Sequence, residues 1–360
     1  GRQTHADVER LGFHKDLSVG SALVEMYAKN GAFVDARKVL DMLVVRNTAS
    51  WNVLMEGYND YGRNEEVLMC FEEMQHEGVS PNVVTFLCTL KSCGCLGQTN
   101  KAREIYAQIE SNAILDTDNV RNSVANIYAK CGWLERAEKV FDKLSVPNVV
   151  SWNALISGYV HKGQAQEALV CFQQMQREGL SPDNVTFICI LKACGSIGAV
   201  IKGREIHAGI EPFQGNLFLQ SSLVDMYVKC GNMEDARCVF EDLPDHDLVT
   251  WSTLLAGYAR HGRGQEGLEL FYEMIEEGIA PNEITCISVL KACSSIPSLS
   301  QGRFTHAYIV FSGFEGNIYL VNTLIDMYAS CGSFNDARNV FARVQSKDLG
   351  TWNVMIGACA

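Results

Sequence analysis

The 360-residue sequence is poor in charge and proline, and it has no long apolar run. Only 20% of the residues are charged and seven are prolines, while 47% are hydrophobic, which excludes a disordered or collagen-like chain. No apolar run approaches the roughly 18 residues that a membrane-spanning helix requires. We therefore expect a packed, folded chain with no membrane partner.

Metal-ligand spacing is also missing among the 14 cysteines. No C-x-x-C pair occurs, and the nearest approach is Cys93-Gly94-Cys95. Most cysteines recur at equivalent places of an internal repeat, and the position shared by Cys70 and Cys171 is filled by Leu270 in a third copy. Because Cys and Leu interchange there, we predict packed structural thiols in a reducing compartment, with no metal and no cofactor.

The repeat is marked by Trp51, Trp152, Trp251 and Trp352, which are spaced 101, 99 and 101 residues apart. Each unit divides into a short, a standard and a long repeat. The predicted boundaries are 1–16 (partial long), 17–47 (short), 48–82 (standard), 83–117 (long), 118–148 (short), 149–183 (standard), 184–216 (long), 217–247 (short), 248–282 (standard), 283–317 (long), 318–348 (short) and 349–360 (partial standard). Since the chain starts and stops within repeats, we expect it to be part of a longer protein.

Within each repeat the apolar spacing is helical. Trp152, Leu155, Ile156 and Tyr159 form one stripe, and Gly163 is a predicted helix end. Helices of about a dozen residues are marginal alone, and each hairpin exposes an apolar face until a neighbour covers it. The predicted fold is therefore all-α, a right-handed α-solenoid of helix–turn–helix repeats.

Three phrases identify the kind of repeat: VVSWNALISGYVHKG at 149–163, SSLVDMYVKCGNMEDARCVF at 221–240 and CISVLKACSS at 286–295. They resemble the motifs of plant pentatricopeptide repeat proteins of the PLS subclass, which alternate short, standard and long forms. The resemblance covers the whole chain. It implies that one repeat meets one nucleotide of single-stranded RNA, and that the fifth and last residues of the repeat select the base.

Hydrogen-bond chemistry gives that selection a physical basis. Uracil and guanine present an N–H on the Watson–Crick edge, which a terminal Asp accepts, whereas cytosine and adenine present a bare nitrogen, to which Asn donates. An Asn at the fifth position reaches a small pyrimidine, and a shorter Ser leaves room for a purine. Single-stranded bases are open to this kind of recognition.

The resemblance therefore implies a set of base-binding residues and a target. Ser21 with Asn47 implies A, Asn52 with Asn82 implies C, Asn122 with Asn148 implies C, Asn153 with Asp183 implies U, Ser221 with Asp247 implies G, Ser252 with Asn282 implies A, and Asn322 with Asp348 implies U. The long repeats carry Leu87, Ile188 and Ile287 at the fifth position and are left unassigned. The implied site is 5′-ACnCUnGAnU, and Asn353 adds a pyrimidine preference.

Two observations weigh against this interpretation. An Asn, Ser or Asp near a helix start is usually a simple cap, and the net charge of −12 is unusual for a nucleic-acid binder. The first helices of the ten complete repeats nevertheless carry nine basic residues against five acidic ones by sequence. The alternative function is a helical-repeat scaffold for protein–protein interaction.

The resemblance has further implications. RNA-editing relatives end in a zinc deaminase with H-x-E and C-x-x-C elements, and neither element occurs in this chain, so we predict no catalytic residue and no enzymatic activity. Localisation in a chloroplast or mitochondrion is implied. So is recruitment of multiple organellar RNA editing factors through the long repeats.

Overall fold

A computed structural model describes residues 2–12, 16–111, 117–210, 216–344 and 347–359. Residues 1, 13–15, 112–116, 211–215, 345–346 and 360, which fall within the predicted repeats, lie outside the described residues. The chain divides into two compact units, Gly1–Thr186 and Phe187–Ala360. All regular structure in the described ranges is helical, which confirms the prediction of an all-α fold.

The helices of the first unit are α1 (Arg2–Arg10), α2 (Leu17–Lys29), α3 (Phe33–Met42), α4 (Thr48–Asp60), α5 (Asn64–His76), α6 (Val83–Cys95), α7 (Thr99–Ser111), α8 (Asp118–Lys130), α9 (Leu134–Phe141), α10 (Val149–His161) and α11 (Ala165–Arg177). Helix α12 (Asn184–Ile197) contains the boundary. The second unit continues with α13 (Val200–Gly209), α14 (Leu217–Lys229), α15 (Met233–Glu241), α16 (Leu248–Arg260), α17 (Gly264–Glu276), α18 (Glu283–Ser295), α19 (Leu299–Phe311), a 3₁₀ turn (Phe314–Gly316), α20 (Ile318–Ser330), α21 (Phe334–Arg343) and α22 (Leu349–Cys359).

Packing within each unit follows the repeats. In the first unit, α2, α4, α6, α8 and α10 pack side by side in that order, and in the second α14, α16, α18, α20 and α22 do the same. The second helix of a hairpin lies against its own first helix and against the first helix that follows in seven cases: α3, α5, α9, α15, α17, α19 and α21. Of the tryptophans that mark the repeat, Trp51, Trp152 and Trp251 are buried core residues, whereas Trp352 on α22 is exposed.

The turn between the two helices of a hairpin depends on glycine. Gly163 has φ +73°, and its N–H bonds to the carbonyl of Val160, just after α10 ends. Residues with a Cβ are strained in this left-handed region, whereas glycine is not. The helix end predicted at this position is confirmed.

The cysteines behave as packing residues. Cys70 and Leu270 are both buried at the shared repeat position. Burial raises the pKa of the Cys70 and Cys171 thiols to about 12, so both stay protonated at neutral pH. Among the described residues no group of three or more His, Cys, Asp or Glu side chains could hold a metal ion. In the same ranges, no helix is both long and apolar enough to cross a membrane.

Candidate nucleic-acid interface

The last residue of each short or standard repeat caps the first helix of the next repeat. In all seven cases its Oδ1 accepts a hydrogen bond from the backbone N–H three residues further on, at 2.7–3.1 Å: Asn47, Asn82, Asn148, Asp183, Asp247, Asn282 and Asp348. These residues are therefore true N-caps. The cap fixes one side-chain oxygen and leaves the other terminal atom, Nδ2 or Oδ2, as the feature that distinguishes Asn from Asp.

The fifth residue lies in the second turn of the first helix, next to the last residue of its own repeat. Asn52 Nδ2 donates to Asn82 Oδ1 at 2.9 Å, and Asn153 Nδ2 donates to Asp183 Oδ1 at the same distance. The members of each pair are 30 residues apart in sequence. Stacking of neighbouring repeats thus brings together two pairs that were predicted only from their places in the repeat.

In two of the three repeats whose fifth residue is Ser, a threonine links it to the last residue. Ser221 and Ser252 donate to backbone carbonyls of their own helices at 2.8 and 2.6 Å. The hydroxyl of Ser252 lies 3.2 Å from Thr285 Oγ1, which in turn donates to Asn282 Oδ1 at 2.9 Å. Ser221, Thr250 and Asp247 form the same chain. Turned back on its own helix, the short serine leaves more room beside the last residue than asparagine does.

The remaining predicted residues are placed less uniformly. Within the described residues, Ser21 and Asn47 share no hydrogen bond, nor do Asn122 and Asn148, and Asn122 Oδ1 is buried without a partner. Asn322 lies beside Asp348 and, after Thr351, helps to lower the pKa of that carboxyl, although the Oδ1 of Asn322 lacks a partner. Asn353 is exposed on α22.

The two terminal aspartates that contact an asparagine are ionised at neutral pH. Burial opposes ionisation of Asp183, but hydrogen bonds from Thr186 and Asn153 outweigh it and lower the pKa. The backbone and hydroxyl bonds from Thr351 lower the pKa of Asp348. Both carboxylates can therefore only accept hydrogen bonds, as selection of an N–H on a base requires.

The second residue of the repeat, which was not among the predicted site residues, is also exposed beside the polar pairs. It is a large apolar residue in seven of the ten complete repeats, and all seven side chains are at least 37% exposed: Val84, Val150, Val185, Phe218, Val249, Ile284 and Tyr319. Each lies three residues before a fifth residue, so apolar surfaces alternate with polar pairs along the first helices. Apolar residues directly after a helix cap, outside the core stripe, were the signal available in the sequence.

A cavity of about 300 Å³ in the second unit is lined both by a polar pair of fifth and last residues and by exposed apolar second residues. The predicted adenine pair, Ser252 and Asn282, lines it together with Val249 and Ile284. Lys229 and Arg260 complete the wall, with Asp225 ion-paired to Lys229 at 2.7 Å. Hydrogen-bonding groups between two aliphatic faces suit a planar polar ring, and a neighbouring cation suits a phosphate.

The charge along the first helices is lower than predicted from sequence. With the observed bounds they carry eight basic and seven acidic residues, since Asp118 and Glu283 open α8 and α18 and Lys162 follows the end of α10. The excess is +1, so the predicted nine against five was wrong. Asp118 and Glu283 were not among the five acidic residues of the prediction, although each is the first residue of its predicted repeat. Asp118 is ion-paired to Arg121 at 3.0 Å.

Comparisons with known proteins agree with this repeat pattern. The model described as PPR repeat family matches residues 46–95, 147–196 and 246–295, and the model described as PPR repeat matches 120–146, 221–248 and 319–349. Together these matches cover well over half of the chain.

Relatives in Arabidopsis thaliana match along almost the full length. A chloroplastic pentatricopeptide repeat-containing protein is 34% identical over 99% of this chain and 58% of its own length. A mitochondrial one is 33% identical over 99% of this chain and 65% of its own length. The chain spans about half the length of the curated relatives it matches.

Solved structures share the fold. Two crystal structures of the pentatricopeptide repeat protein PPR10, each in complex with an 18-nt psaJ RNA element, superpose with a TM-score of 0.82. They are 19% identical, with coverage of 94% of this chain and 52% of PPR10. At that identity the likeness shows the helical-repeat solenoid fold alone. The two PPR family models match most of the chain, and their matched ranges recur with the same period as its helices. The chain therefore belongs to the pentatricopeptide repeat family.

Proposed function

We propose that this chain is a sequence-specific module for single-stranded RNA that reads one nucleotide per repeat at the site 5′-ACnCUnGAnU. The observation that carries the proposal is the cavity at Ser252 and Asn282, where a polar pair lies between exposed Val249 and Ile284 with two cations beside it. The equivalent pairs Asn52–Asn82 and Asn153–Asp183 are bonded directly, so the same arrangement recurs in other repeats.

The chemistry of the pairs supports base selection. In the repeat 149–183 the carboxylate of Asp183 is ionised and accepts from uracil N3–H, whereas it repels the lone pair of cytosine N3. In the repeat 48–82 the Nδ2 of Asn82 donates to cytosine N3. The exposed apolar second residues pack against the faces of the bases beside them, because a nucleobase offers two apolar faces whatever its identity.

We also propose the PLS subclass and an organellar role in specifying an RNA-editing or processing site. The alternation of short, standard and long repeats supports the subclass. The chloroplastic and mitochondrial names of the relatives support the compartment. Leu87, Ile188 and Ile287 are half-buried aliphatic residues at the fifth position of the long repeats. They fit contacts with multiple organellar RNA editing factors better than recognition of a polar base edge.

A binding experiment tests the RNA proposal against the scaffold alternative. Purified chain is titrated into a ten-nucleotide RNA of the proposed sequence, and into an RNA of the same composition in scrambled order, in an electrophoretic mobility shift assay. We expect the proposed RNA to bind at least tenfold more tightly at the same salt concentration. Equal affinity for both RNAs, or no binding, would favour the protein-interaction scaffold.

A further inference from the structure

The fifth residue of a repeat contacts the third residue of the repeat that follows. Thr186 Oγ1 donates to Asn153 Oδ1 at 2.5 Å, and Thr85 Oγ1 donates to Asn52 Oδ1 at 2.6 Å. The partners are 33 residues apart in sequence, and both threonines have no solvent exposure. Each asparagine amide is therefore held at both ends, its oxygen by the threonine and its nitrogen by the last residue of its own repeat.

The residue types at the two positions change together in all ten complete repeats. The seven polar fifth residues face a Ser or Thr, in the pairs Ser21/Ser50, Asn52/Thr85, Asn122/Ser151, Asn153/Thr186, Ser221/Thr250, Ser252/Thr285 and Asn322/Thr351. The three aliphatic fifth residues face an aliphatic one, in the pairs Leu87/Val120, Ile188/Leu219 and Ile287/Leu320. A hydroxyl therefore occurs at the third position only where the preceding fifth residue is polar.

Helix capping explains only part of this pattern. Asp16, Asn216 and Asn317 cap their helices by accepting from the N–H of Val19, Leu219 and Leu320, none of which has a hydroxyl. The side-chain bond of the N-cap thus forms equally well with an aliphatic third residue. Where the third residue is Thr85 or Thr186, its hydroxyl also accepts from the N–H of Asn82 or Asp183, as in a capping box, and it makes the further bond to the fifth residue.

Serine and threonine behave differently at this position. Ser151 Oγ donates to the backbone carbonyl of Asn148 at 2.8 Å, and Ser50 bonds to Asn47 in the same way. Asn122, which precedes Ser151, has a buried Oδ1 without a partner. The β-branched threonine has restricted χ1 freedom, whereas serine can turn to the nearby carbonyl. All three threonines also donate to the Oδ1 of the last residue, Thr85 to Asn82 at 3.1 Å, Thr186 to Asp183 at 2.9 Å and Thr351 to Asp348 at 2.7 Å. Thr351 differs in making no bond to the fifth residue, since the buried Oδ1 of Asn322 has no partner.

We infer that Thr85 and Thr186 are positioning residues for base selection, each holding the amide of the fifth residue in the preceding repeat with its nitrogen toward the last residue. This inference rests on the proposed function. With Thr186 in place, Asn153 presents one fixed orientation beside Asp183. Without it the amide is free to rotate and to present either its oxygen or its nitrogen to the base, which weakens discrimination between U and C.

Two variants separate positioning from folding. Thr186→Val keeps the shape of the side chain and removes the hydroxyl. Thr186→Ser keeps the hydroxyl, which we expect to bond to the Asp183 backbone as Ser151 bonds to Asn148. The contact with Asn153 is then lost, together with the 2.9 Å bond to Asp183 Oδ1, while the hydroxyl remains paired. The matched control is Ser151→Ala, which removes an equally buried hydroxyl that does not contact a fifth residue.

Affinities of the full chain are measured for two RNAs that differ only by U or C at the fifth nucleotide, and for two that differ likewise at the fourth. We expect both Thr186 variants to lower the U-over-C ratio at the fifth nucleotide by about two- to tenfold, the range of one net hydrogen bond. The ratio at the fourth nucleotide should stay unchanged in these variants and in Ser151→Ala. Thermal unfolding of each variant shows that the repeats remain folded at the assay temperature.

The outcomes distinguish the two proposals. If the unmodified chain prefers U and both Thr186 variants prefer it equally, the positioning role is overturned and the proposed function stands. If Ser151→Ala weakens discrimination at the fourth nucleotide as much as the Thr186 variants do at the fifth, a general effect of buried hydroxyls replaces this inference. If the unmodified chain shows no preference at either nucleotide, the proposed function fails, and this inference fails with it.

Discussion

At the scale of single residues, the terminal Asn and Asp of a repeat act as helix caps and also as candidate base-binding groups. Asp183 accepts from Thr186 N–H at 2.9 Å and from Asn153 Nδ2 at 2.9 Å, in both cases through Oδ1. Asn82 makes the same bonds in its own repeat. A capping role and a base-binding role are therefore compatible in the same residue. Capping uses Oδ1, whereas the second terminal atom, Nδ2 in Asn or Oδ2 in Asp, is the one that distinguishes the two residues.

The substitution Asp183→Asn tests this division. We expect the preference at the fifth nucleotide to shift from U toward C, because the substitution exchanges the charged acceptor Oδ2 for the donor Nδ2. The shift in binding free energy should be about 1 kcal/mol, the low end for one base contact. Unfolding by urea should change little, since Asn and Asp are comparable caps. Binding would be measured for both proteins with RNAs differing only at that nucleotide. An equal loss of affinity for both RNAs would show that Asp183 is a cap and nothing more.

At the scale of helices, close approach of neighbouring first helices depends on small residues. A Cβ added to Gly257 in α16 would lie 2.7 Å from Val228 Cγ1 in α14, and one added to Gly57 in α4 would lie 2.6 Å from Ala28 Cβ in α2. Gly57, Gly158 and Gly257 occupy the same position in the three standard repeats. The spacing of the helix layer is thus set at a recurring glycine.

Gly257→Ala should therefore lower the free energy of unfolding by about 1–3 kcal/mol, because overpacking outweighs the gain in helix propensity. Gly357→Ala in α22 is the matched control, since a Cβ there meets nothing within 4 Å. That control should be neutral or slightly stabilising. Urea unfolding followed by circular dichroism compares the two. Equal urea midpoints for both variants would contradict this prediction, because they would mean that the first helices move apart to accept the added Cβ at no cost in stability.

At the scale of the whole molecule, the net charge of −12 and the small excess of +1 on the first helices limit electrostatic attraction to RNA. We expect binding of the ten-nucleotide target to weaken with salt along a shallow slope, equivalent to about three or fewer phosphate contacts. Affinity measured across a series of potassium chloride concentrations gives that slope. A steep slope with equal affinity for scrambled RNA would indicate non-specific electrostatic binding instead.

The sequence by itself determined the repeat, the two helices of each hairpin and the residues at the caps. These features depend on local chemistry: apolar spacing at 3.6 residues per turn, glycine at helix ends such as Gly163, and Asn or Asp next to the first N–H groups of a helix. Local rules also placed the seven polar pairs at equivalent positions, because every copy of the repeat carries them at the same offset.

Only the tertiary structure decided which pairs make contact and what surrounds them. Asn153 meets Asp183 and Thr186 across 30 and 33 residues of sequence, and those bonds exist because the next repeat stacks on the first helix. Asn122 has the same residue type and repeat position, yet its Oδ1 is unpaired, since the neighbouring Ser151 donates to the backbone carbonyl of Asn148. The exposure of Val249 and Ile284 beside Ser252 is likewise set by which faces the stacked helices cover. Side-chain hydrogen bonds between repeats depend on rotamers and packing, which the one-dimensional pattern does not contain.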